Sequence, residues 1–372
     1  MKVIGIISRF NPHVDKKAHS GILFKINEAI ENAGFKTVWV KNSQSKPFVF
    51  LCKVFALLKM LRLVNNVNFI YTKLGARLMA KTIDKKAIKQ CDYLVAIHYF
   101  HVPAYLRTDK PIIYHSDATF ELANNYYFHN LPKWNERQGN IVEQMALDNS
   151  AYHLSSSVWR QNSVIKTYKQ DEKKCFVLEY GPCMDIKDVE HKFSDDGVLR
   201  LFFSGVDWER KGGDIAAECV MLLNEHGIKS ELTIVGPKQI PEKYKGNKYI
   251  IYKGFLDKNN SGEYKILEHI YQTSDIFILP TKAECSAIVY CEASTFGLPI
   301  VTYDTGGVGN YVVNGVNGYR LPELSSANIF ALKIENIIKN DELMKLSEGA
   351  RKYAKEKLNW DNWTRWFIEN IK

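Results

Sequence analysis

The chain has 372 residues, of which 46% are hydrophobic, 24% charged and 12% aromatic. At roughly 100–200 residues per domain this length predicts two domains, and the composition excludes disordered, fibrous and disulfide-scaffold proteins. The formal net charge is +9, and residues 46–90 alone carry ten basic side chains and one acidic side chain. Since the excess of positive charge in this stretch equals that of the whole chain, we expect the stretch to face an anionic partner.

The N-terminus begins with an apolar run of only five residues, Val3–Ile7. Such a run is too short for the apolar core of a signal peptide or for a membrane span. The seven cysteines are scattered and form no C-x-x-C pair, so neither a disulfide framework nor a zinc site is indicated. We therefore expect a cytoplasmic protein, either free or peripheral at the inner face of the membrane.

The first half of the chain alternates between apolar strands and helical segments. We predict strands at 3–7, 36–40, 93–97 and 111–114, and a helix at 22–32 that ends before Ala33-Gly34. A β-α-β unit followed by further buried strands favours a parallel, doubly wound sheet. The first Rossmann-like domain is predicted to span residues 1–180.

The alternation restarts after Glu179-Tyr180-Gly181-Pro182, where glycine and proline interrupt regular structure. We predict strands at 199–204, 231–235, 249–252, 276–279 and 300–303, and helices at 214–224, 263–272 and 288–295. A second Rossmann-like domain is therefore predicted over residues 181–355.

The last segment, 341–372, is predicted to be helical throughout. Its aromatic residues, Trp360, Trp363, Trp366 and Phe367, lie on one helical face. Because such an apolar face must be covered, we expect residues 356–372 to dock on the N-terminal domain.

The loop 204–213 lies between a predicted strand and a predicted helix. Its glycines, including Gly205, allow a ligand to approach the backbone, and Arg210 and Lys211 add two cations beside a helix N-terminus. This pattern predicts a diphosphate-binding loop. A loop whose cations are only solvated is the alternative.

A second candidate loop follows the predicted strand 276–279. Glu284 lies in this loop and Glu292 follows eight residues later on a predicted helix, so both carboxylates can face one extended ligand. Carboxylates at this spacing can bind the hydroxyl pairs of a nucleotide sugar, whose diphosphate would lie over the helix N-terminus. In the alternative reading, Glu292 faces solvent.

Further motifs follow in a fixed order. They are ELTIVGP at 231–237, KGF at 253–255, residues 274–280, residues 284–299, TGG at 305–307 and NGVNG at 314–318. In order and spacing, residues 198–325 resemble the C-terminal half of family 4-like glycosyltransferases, and the N-terminal half resembles them more weakly through Ser20-Gly21, residues 116–120 and residues 155–159. The resemblance implies the GT-B fold, with two Rossmann-like domains facing a central cleft and a C-terminal helix crossing back.

The resemblance also implies roles for individual residues. Lys211 and Arg210 would bind the diphosphate, Glu284 the hydroxyls of the transferred sugar, and Glu292 the ribose. The further donor-binding residues implied are Gly21, Gly205, Phe255, Ser286, Ala287 and Ile288. The chain departs from the family where it has Val206, a position at which many members have arginine, and where it has Ser286-Ala287 in place of Phe-Gly.

On the acceptor side, Asp117 occupies the region where the family places a His or Asp. His115 is its rival, and a turn or cap residue is the alternative for both. His98 and His101 are interpreted as structural. No cluster has metal-ligand spacing, and no metal or cofactor is expected; the donor is a nucleoside-diphosphate sugar of UDP or GDP type.

By this resemblance the expected activity is retaining transfer of a sugar to a glycan or lipid-linked acceptor in surface polysaccharide or glycoconjugate synthesis. The alternatives are a nucleotide-sugar epimerase of the same fold and a non-catalytic partner subunit. Nucleic-acid binding is ranked last, because no aromatic interleaving or known module accompanies the basic stretch.

The basic stretch suggests an anionic membrane surface as a further partner. Lys73, Arg77, Lys81, Lys85 and Lys89 recur every four residues, beside an apolar stripe formed by Ala76, Met79, Ala80, Ile83 and Ala87. The preceding segment 47–63 is apolar but interrupted by cations, which suits an interfacial helix. A buried helix followed by a solvated one is the alternative.

Overall fold

The computed structural model describes residues 1–62, 66–186, 191, 193 and 195–371. The chain divides into two compact units. Unit 1 comprises residues 1–178 together with the chain from Trp360 onward, and unit 2 comprises residues 179–359.

Unit 1 is built on a six-stranded parallel sheet. Its strands are β1 Val3–Ser8, β2 Lys36–Lys41, β3 Tyr93–Ile97, β4 Ile112–Ser116, β5 Tyr152–Ser155 and β6 Cys175–Val177, in the order β2-β1-β3-β4-β5-β6. The side chains of β1 are buried on both faces, as in Ile4, Ile6 and Ile7, because helices cover both sides of a parallel sheet. The predicted strands of this half are confirmed.

The described residues of unit 1 before the boundary form eight α-helices. They are α1 Ile22–Asn32, α2 Lys46–Met60, α3 Lys73–Ala80, α4 Lys85–Ile88, α5 His101–Tyr105, α6 Phe120–Ala123, α7 Lys133–Asp148 and α8 Val158–Lys166. The predicted helix 22–32 is confirmed as α1.

Unit 2 repeats the architecture with a second six-stranded parallel sheet. Its strands are β7 Leu199–Ser204, β8 Ser230–Val235, β9 Ile250–Gly254, β10 Ile276–Leu279, β11 Ile300–Tyr303 and β12 Gly318–Leu321, in the order β12-β11-β10-β7-β8-β9. Its helices are α9 Trp208–Lys211, α10 Gly213–Glu225, α11 Ser261–Thr273, α12 Ile288–Phe296, α13 Ala327–Lys339 and α14 Leu343–Glu356. Each predicted strand and helix of 199–303 is present, within a few residues at its ends.

The strand order of each sheet reverses direction at one point. In unit 1 the reversal lies between β1 and β3, and in unit 2 between β7 and β10. Connections leave these two strands toward opposite sides, so the loops after their carboxyl ends flank a crevice. In unit 2 these loops are the two candidate loops of the sequence, beginning at Gly205 and Pro280.

The C-terminal segment forms two helices instead of the one predicted. After α14, the side chain of Asn359 donates hydrogen bonds to the carbonyls of Ala354 and Lys355 and so ends that helix. The last helix, α15 Asp361–Asn370, then starts anew. Its Trp363 and Phe367 are fully buried within unit 1, and Thr364 donates a hydrogen bond of 3.1 Å to the carbonyl of Ala29 on α1.

The predicted cationic ladder of residues 73–89 is wrong, although its apolar stripe is confirmed. The stripe residues, Ala76, Met79, Ala80, Ile83 and Ala87, are all buried. The helix, however, breaks between α3 and α4, because Asp84 accepts hydrogen bonds from the amides of Lys86 and Ala87 and begins a separate short helix. The cations therefore do not line one helix face.

Helices long and apolar enough to cross a bilayer are not found among the described residues. The seven cysteines, all within those residues, are free thiols.

A buried ionisable network lies beneath β4 in unit 1. The Glu143 carboxylate is buried and accepts a hydrogen bond of 3.2 Å from the hydroxyl of Tyr114. The guanidinium of Arg160 lies over the Tyr114 ring and donates to the carbonyl of Leu154. Burial raises the pKa of Glu143 to about 7, although Arg160 opposes the shift.

The raised pKa predicts a pH-dependent difference between the wild type and Glu143→Gln. Between about pH 4.5 and about pH 7 the folded chain retains a proton that the unfolded chain has lost, so this group's contribution to the free energy of unfolding falls as pH rises. We expect the variant to gain up to about 3 kcal/mol relative to the wild type across this interval. Urea unfolding at its two ends measures the gain, with the exposed Glu172→Gln as control; a pH-independent difference would contradict the prediction.

Candidate active site

The two candidate loops of unit 2 meet at the reversal point of its sheet. Strand β7 ends at Ser204 and leads into the first loop, and the neighbouring β10 leads into the second. The loops are joined through their backbones, since the amide of Lys282 donates to the carbonyl of Arg210 at 2.8 Å. The strand order thus brings together segments about 70 residues apart in the chain.

Arg210, Lys211 and Glu284 form one ionic cluster. The Lys211 ammonium pairs directly with the Glu284 carboxylate, and a guanidinium nitrogen of Arg210 lies 4.0 Å from the same carboxylate oxygen. Arg210 also donates to the carbonyl of Ala283 at 2.9 Å. These three predicted site residues are therefore adjacent, with two cations beside one carboxylate.

Two glycines make this arrangement possible. A side chain at Gly205 would place its first carbon 2.8 Å from the Lys211 side chain, so glycine lets that lysine lie against the loop. Gly212 has a φ of 76°, and a Cβ there would lie 2.0 Å from the carbonyl oxygen of Pro280. The turn between α9 and α10 thus requires glycine both for its left-handed conformation and for the close approach of the second loop.

We expect Gly212→Ala to lower the free energy of unfolding by at least about 2 kcal/mol, because it combines a left-handed backbone with a steric clash. Gly227→Ala is the matched control: its φ is 85°, but nothing lies within 4 Å of the added carbon. The control should lose only the conformational part, about 1 kcal/mol. Chemical denaturation measures both variants, and equal losses would remove the clash from the explanation.

Glu292 on α12 is fully buried. One of its carboxylate oxygens pairs with the ammonium of Lys258, and the other accepts a hydrogen bond of 3.0 Å from the hydroxyl of Tyr271. The solvent-facing alternative for Glu292 is therefore wrong. The Lys258 side chain that pairs with this carboxylate is about one-third exposed.

The remaining predicted donor-binding residues of unit 2 surround the start of α12 and the end of β9. Ala287 and Ile288 are buried at the first turn of α12, and no side chain caps that helix, although the amide of Tyr290 donates to the carbonyl of Ala287. The amides at the start of an uncapped helix are suited to bind an anion. Ser286 directly precedes them. Phe255 follows β9 and is 61% exposed, an unusual position for a large apolar residue and one suited to stacking on a flat ligand.

In unit 1, Asp117 follows β4 and forms a pair with His98, which follows the adjacent β3. The carboxylate lies 3.5 Å from Nδ1 of His98. Burial lowers the pKa of His98, while Asp117 opposes the shift. The interpretation of His98 as structural did not include this pair: the position after a parallel strand, shared with Asp117, is the signal that could have grouped the two residues.

The other two histidines of this region are buried. His115 lies within β4, where its ring contacts that of Trp363, and burial holds its pKa well below the usual range. Nε2 of His101 donates a hydrogen bond of 2.8 Å to the side-chain oxygen of Asn42, and burial lowers the pKa of His101 to about 3. His115 is thus less accessible than its rival Asp117, and the structural interpretation of His101 agrees with its surroundings.

Gly21 begins α1 with a φ of 94°. The two residues before it, His19 and Ser20, also have positive φ values, of 51° and 59°. Non-glycine residues in this conformation store strain, which is typical of functional loops. A role for Gly21 in donor binding stays a prediction.

A cluster of three or more His, Cys, Asp or Glu side chains able to hold a metal ion is not found within the described ranges.

Comparisons with known proteins agree with this geometry. Residues 186–357 match the family described as "Glycosyl transferases group 1". Two similar proteins are a lipopolysaccharide 1,2-N-acetylglucosaminetransferase of Salmonella typhimurium, 26% identical over 28% of each chain, and the capsular polysaccharide biosynthesis glycosyltransferase CapM of Staphylococcus aureus, 21% identical over 59% of this chain and 60% of that one. The chain thus covers less than two thirds of either relative.

Among solved structures, the chain resembles Anabaena HepE in complex with UDP and glucose, with a TM-score of 0.66 and 14% identity over 100% of this chain and 99% of that one. The chain has the GT-B fold, and the family match lies within its second unit. The predicted GT-B glycosyltransferase is confirmed at the level of family and fold.

Proposed function

We propose that the protein is a retaining glycosyltransferase that moves a sugar from a nucleoside-diphosphate sugar to a glycan or lipid-linked acceptor. The observation that carries the proposal is the cluster of Arg210, Lys211 and Glu284 at the point where the sheet of unit 2 reverses. Two cations, a carboxylate and the uncapped start of α12 match the charges and hydroxyls of such a donor.

The reaction breaks the bond between the anomeric carbon and a phosphate oxygen and forms a bond between that carbon and the acceptor oxygen. Negative charge develops on the departing diphosphate, and Arg210 and Lys211 are the groups positioned to stabilise it. The proton of the acceptor hydroxyl passes to the departing phosphate oxygen, so no protein nucleophile is required. Glu284, held by Lys211, binds sugar hydroxyls and does not attack.

The similarity to HepE, crystallised with UDP and glucose, supports a uridine nucleotide as the first donor to test, with a guanosine nucleotide as the alternative. CapM and the Salmonella transferase are named for capsule and lipopolysaccharide synthesis, which supports an acceptor in surface polysaccharide synthesis. Such an acceptor is consistent with a peripheral location at the inner face of the membrane.

A nucleotide screen followed by product analysis tests the proposal. Thermal unfolding with UDP, GDP and ADP should show selective stabilisation, of about 2.7 kcal/mol at a hundred times Kd. Transfer from the matching nucleotide sugar should give a product whose anomeric configuration, read by NMR, equals that of the donor. If none of the three nucleotides stabilises the protein, the proposed donor binding is wrong. A product of inverted anomeric configuration would overturn the retaining mechanism. Isomerisation of the donor in the absence of an acceptor would identify an epimerase.

A further inference from the structure

Helix α2 of unit 1 is apolar on both of its faces. One face, with Phe48, Leu51 and Phe55, packs against Phe69 and Met79. The opposite face also carries large apolar side chains, those of Phe50, Leu57 and Leu61, and these are exposed to solvent. Phe50 is 65% exposed, Leu57 51% and Leu61 54%, and Met60 beside them is 72% exposed.

Helix α2, which carries this exposed face, is held in unit 1 by packing and by a capped N-terminus. The Phe55 ring stacks on Phe69 with centroids 5.2 Å apart, and the start of α2 is capped by Ser45, whose side chain accepts a hydrogen bond from the amide of Phe48. An ordinary surface helix buries its apolar face and exposes a polar one. Here one apolar face of α2 is already covered by the rest of unit 1. The second, exposed apolar face therefore indicates a surface that binds a partner.

A second segment with exposed aromatic side chains contacts the chain just after α2. Lys59 donates to the side chain of Asn66, which in turn donates to the carbonyl of His129. Near this junction Tyr127 and Trp134 are both more than one-third exposed. Tyrosine and tryptophan, with an apolar body and a polar edge, suit the boundary between lipid and water.

The charged side chains of α2 and of the chain that follows it have one sign, while on α7 the half-buried Glu136, whose carboxylate accepts a hydrogen bond from Asn124, lies between Lys133 and Arg137. Lys46, Lys53, Lys59 and Arg62 on α2 and at its end are exposed, as are Lys133 and Arg137 on α7. The sequence contains no Asp or Glu between residues 42 and 83. We propose that this area, the α2 surface (residues 46–62 with Tyr127, Trp134, Lys133 and Arg137), binds an anionic lipid bilayer by inserting its apolar side chains among the headgroups.

The same charges argue against a second copy of this chain as the occupant, because a symmetric interface would bring like cations together. The proposed membrane surface is smaller than the stretch 46–90 predicted from the sequence, because α3 and α4 do not form a continuous cationic face. Leu63, included in the predicted interfacial segment, lies outside the described residues. The inference does not depend on the proposed donor chemistry, because vesicle binding is measured without turnover.

Co-sedimentation of the full chain with vesicles tests the proposal. We expect binding to equimolar phosphatidylglycerol and phosphatidylcholine vesicles at low salt, weaker binding at high salt, and little binding to pure phosphatidylcholine. Phe50→Ser/Leu57→Ser/Leu61→Ser should weaken binding at least about 10-fold. Lys46→Glu/Lys53→Glu should weaken it about 25-fold or more, since each cation near an anionic leaflet contributes about 5-fold.

Matched variants separate this surface from general effects. Lys85→Glu/Lys89→Glu makes the same charge change on exposed residues at the start of α4 and directly after it, and Ile329→Ser/Leu332→Ser/Met344→Ser removes exposed apolar side chains of unit 2. Both should bind vesicles as the wild type does. Three results would overturn the proposal. The protein could bind neutral vesicles as well as anionic ones, or the control variants could lose as much binding as the α2 variants. The third is a protein that binds no vesicles but forms a dimer that the α2 substitutions disrupt.

Discussion

Lys211→Ala is expected to lower turnover by about 10²–10³, the usual effect of removing one preorganised group that stabilises developing charge. In the structure Lys211 pairs with Glu284 and lies beside Arg210. Its loss leaves one cation to stabilise the departing diphosphate. Because the leaving group gains charge only as the bond breaks, turnover should fall more than nucleotide affinity.

Lys282→Ala is the matched control, since Lys282 is an exposed lysine in the facing loop. It should retain wild-type turnover. Thermal unfolding of both variants shows whether they are folded. A folded Lys211→Ala protein with unchanged turnover would remove Lys211 from the proposed mechanism.

Glu292→Ala is expected to raise the Kd of the preferred nucleoside diphosphate by about 10–100-fold. A carboxylate that accepts hydrogen bonds from ribose hydroxyls contributes to ground-state binding, and hydrogen bonds to charged groups are among the stronger ones. Isothermal titration calorimetry with the nucleotide that scores best in the screen measures the change. An unchanged Kd would show that Glu292 only supports α12 and Tyr271.

Lys258→Met distinguishes the two partners of this ion pair. If the ribose takes the place of the Lys258 ammonium at Glu292, the variant should bind the nucleotide no more weakly than the wild type. If instead Lys258→Met weakens binding as much as Glu292→Ala does, the lysine itself contacts the nucleotide. Both results are read from the same titration.

The sheets could be predicted from the sequence because strands of parallel sheets are buried on both faces and appear as short continuous apolar runs. The pairing of Lys211 with Glu284 was also within reach, since both follow neighbouring strands. Lys258 was missed because it lies in an irregular loop between β9 and α11, where no periodic pattern indicates what a side chain contacts. The burial of Glu292 depends on this lysine and on Tyr271.

Helix ends were harder to predict than helices. The repeat of cations at 73–89 has a helical period, but one capping residue, Asp84, divides the segment. The side chain of Asn359 has the same effect at the end of α14. Periodicity averages over many residues, whereas a single local hydrogen bond decides where a helix ends.

The position of α15 in unit 1 has a consequence for biosynthesis. The hydrogen bond between Thr364 and Ala29 joins residues 335 positions apart, so the whole of unit 2 is synthesised between the two parts of unit 1. The first part of unit 1 leaves the ribosome before unit 2, but unit 1 acquires Trp363 and Phe367, two of its buried aromatic side chains, only after unit 2 has been synthesised. A nascent chain that stops before Trp360 therefore has a complete second unit and an unfinished first one.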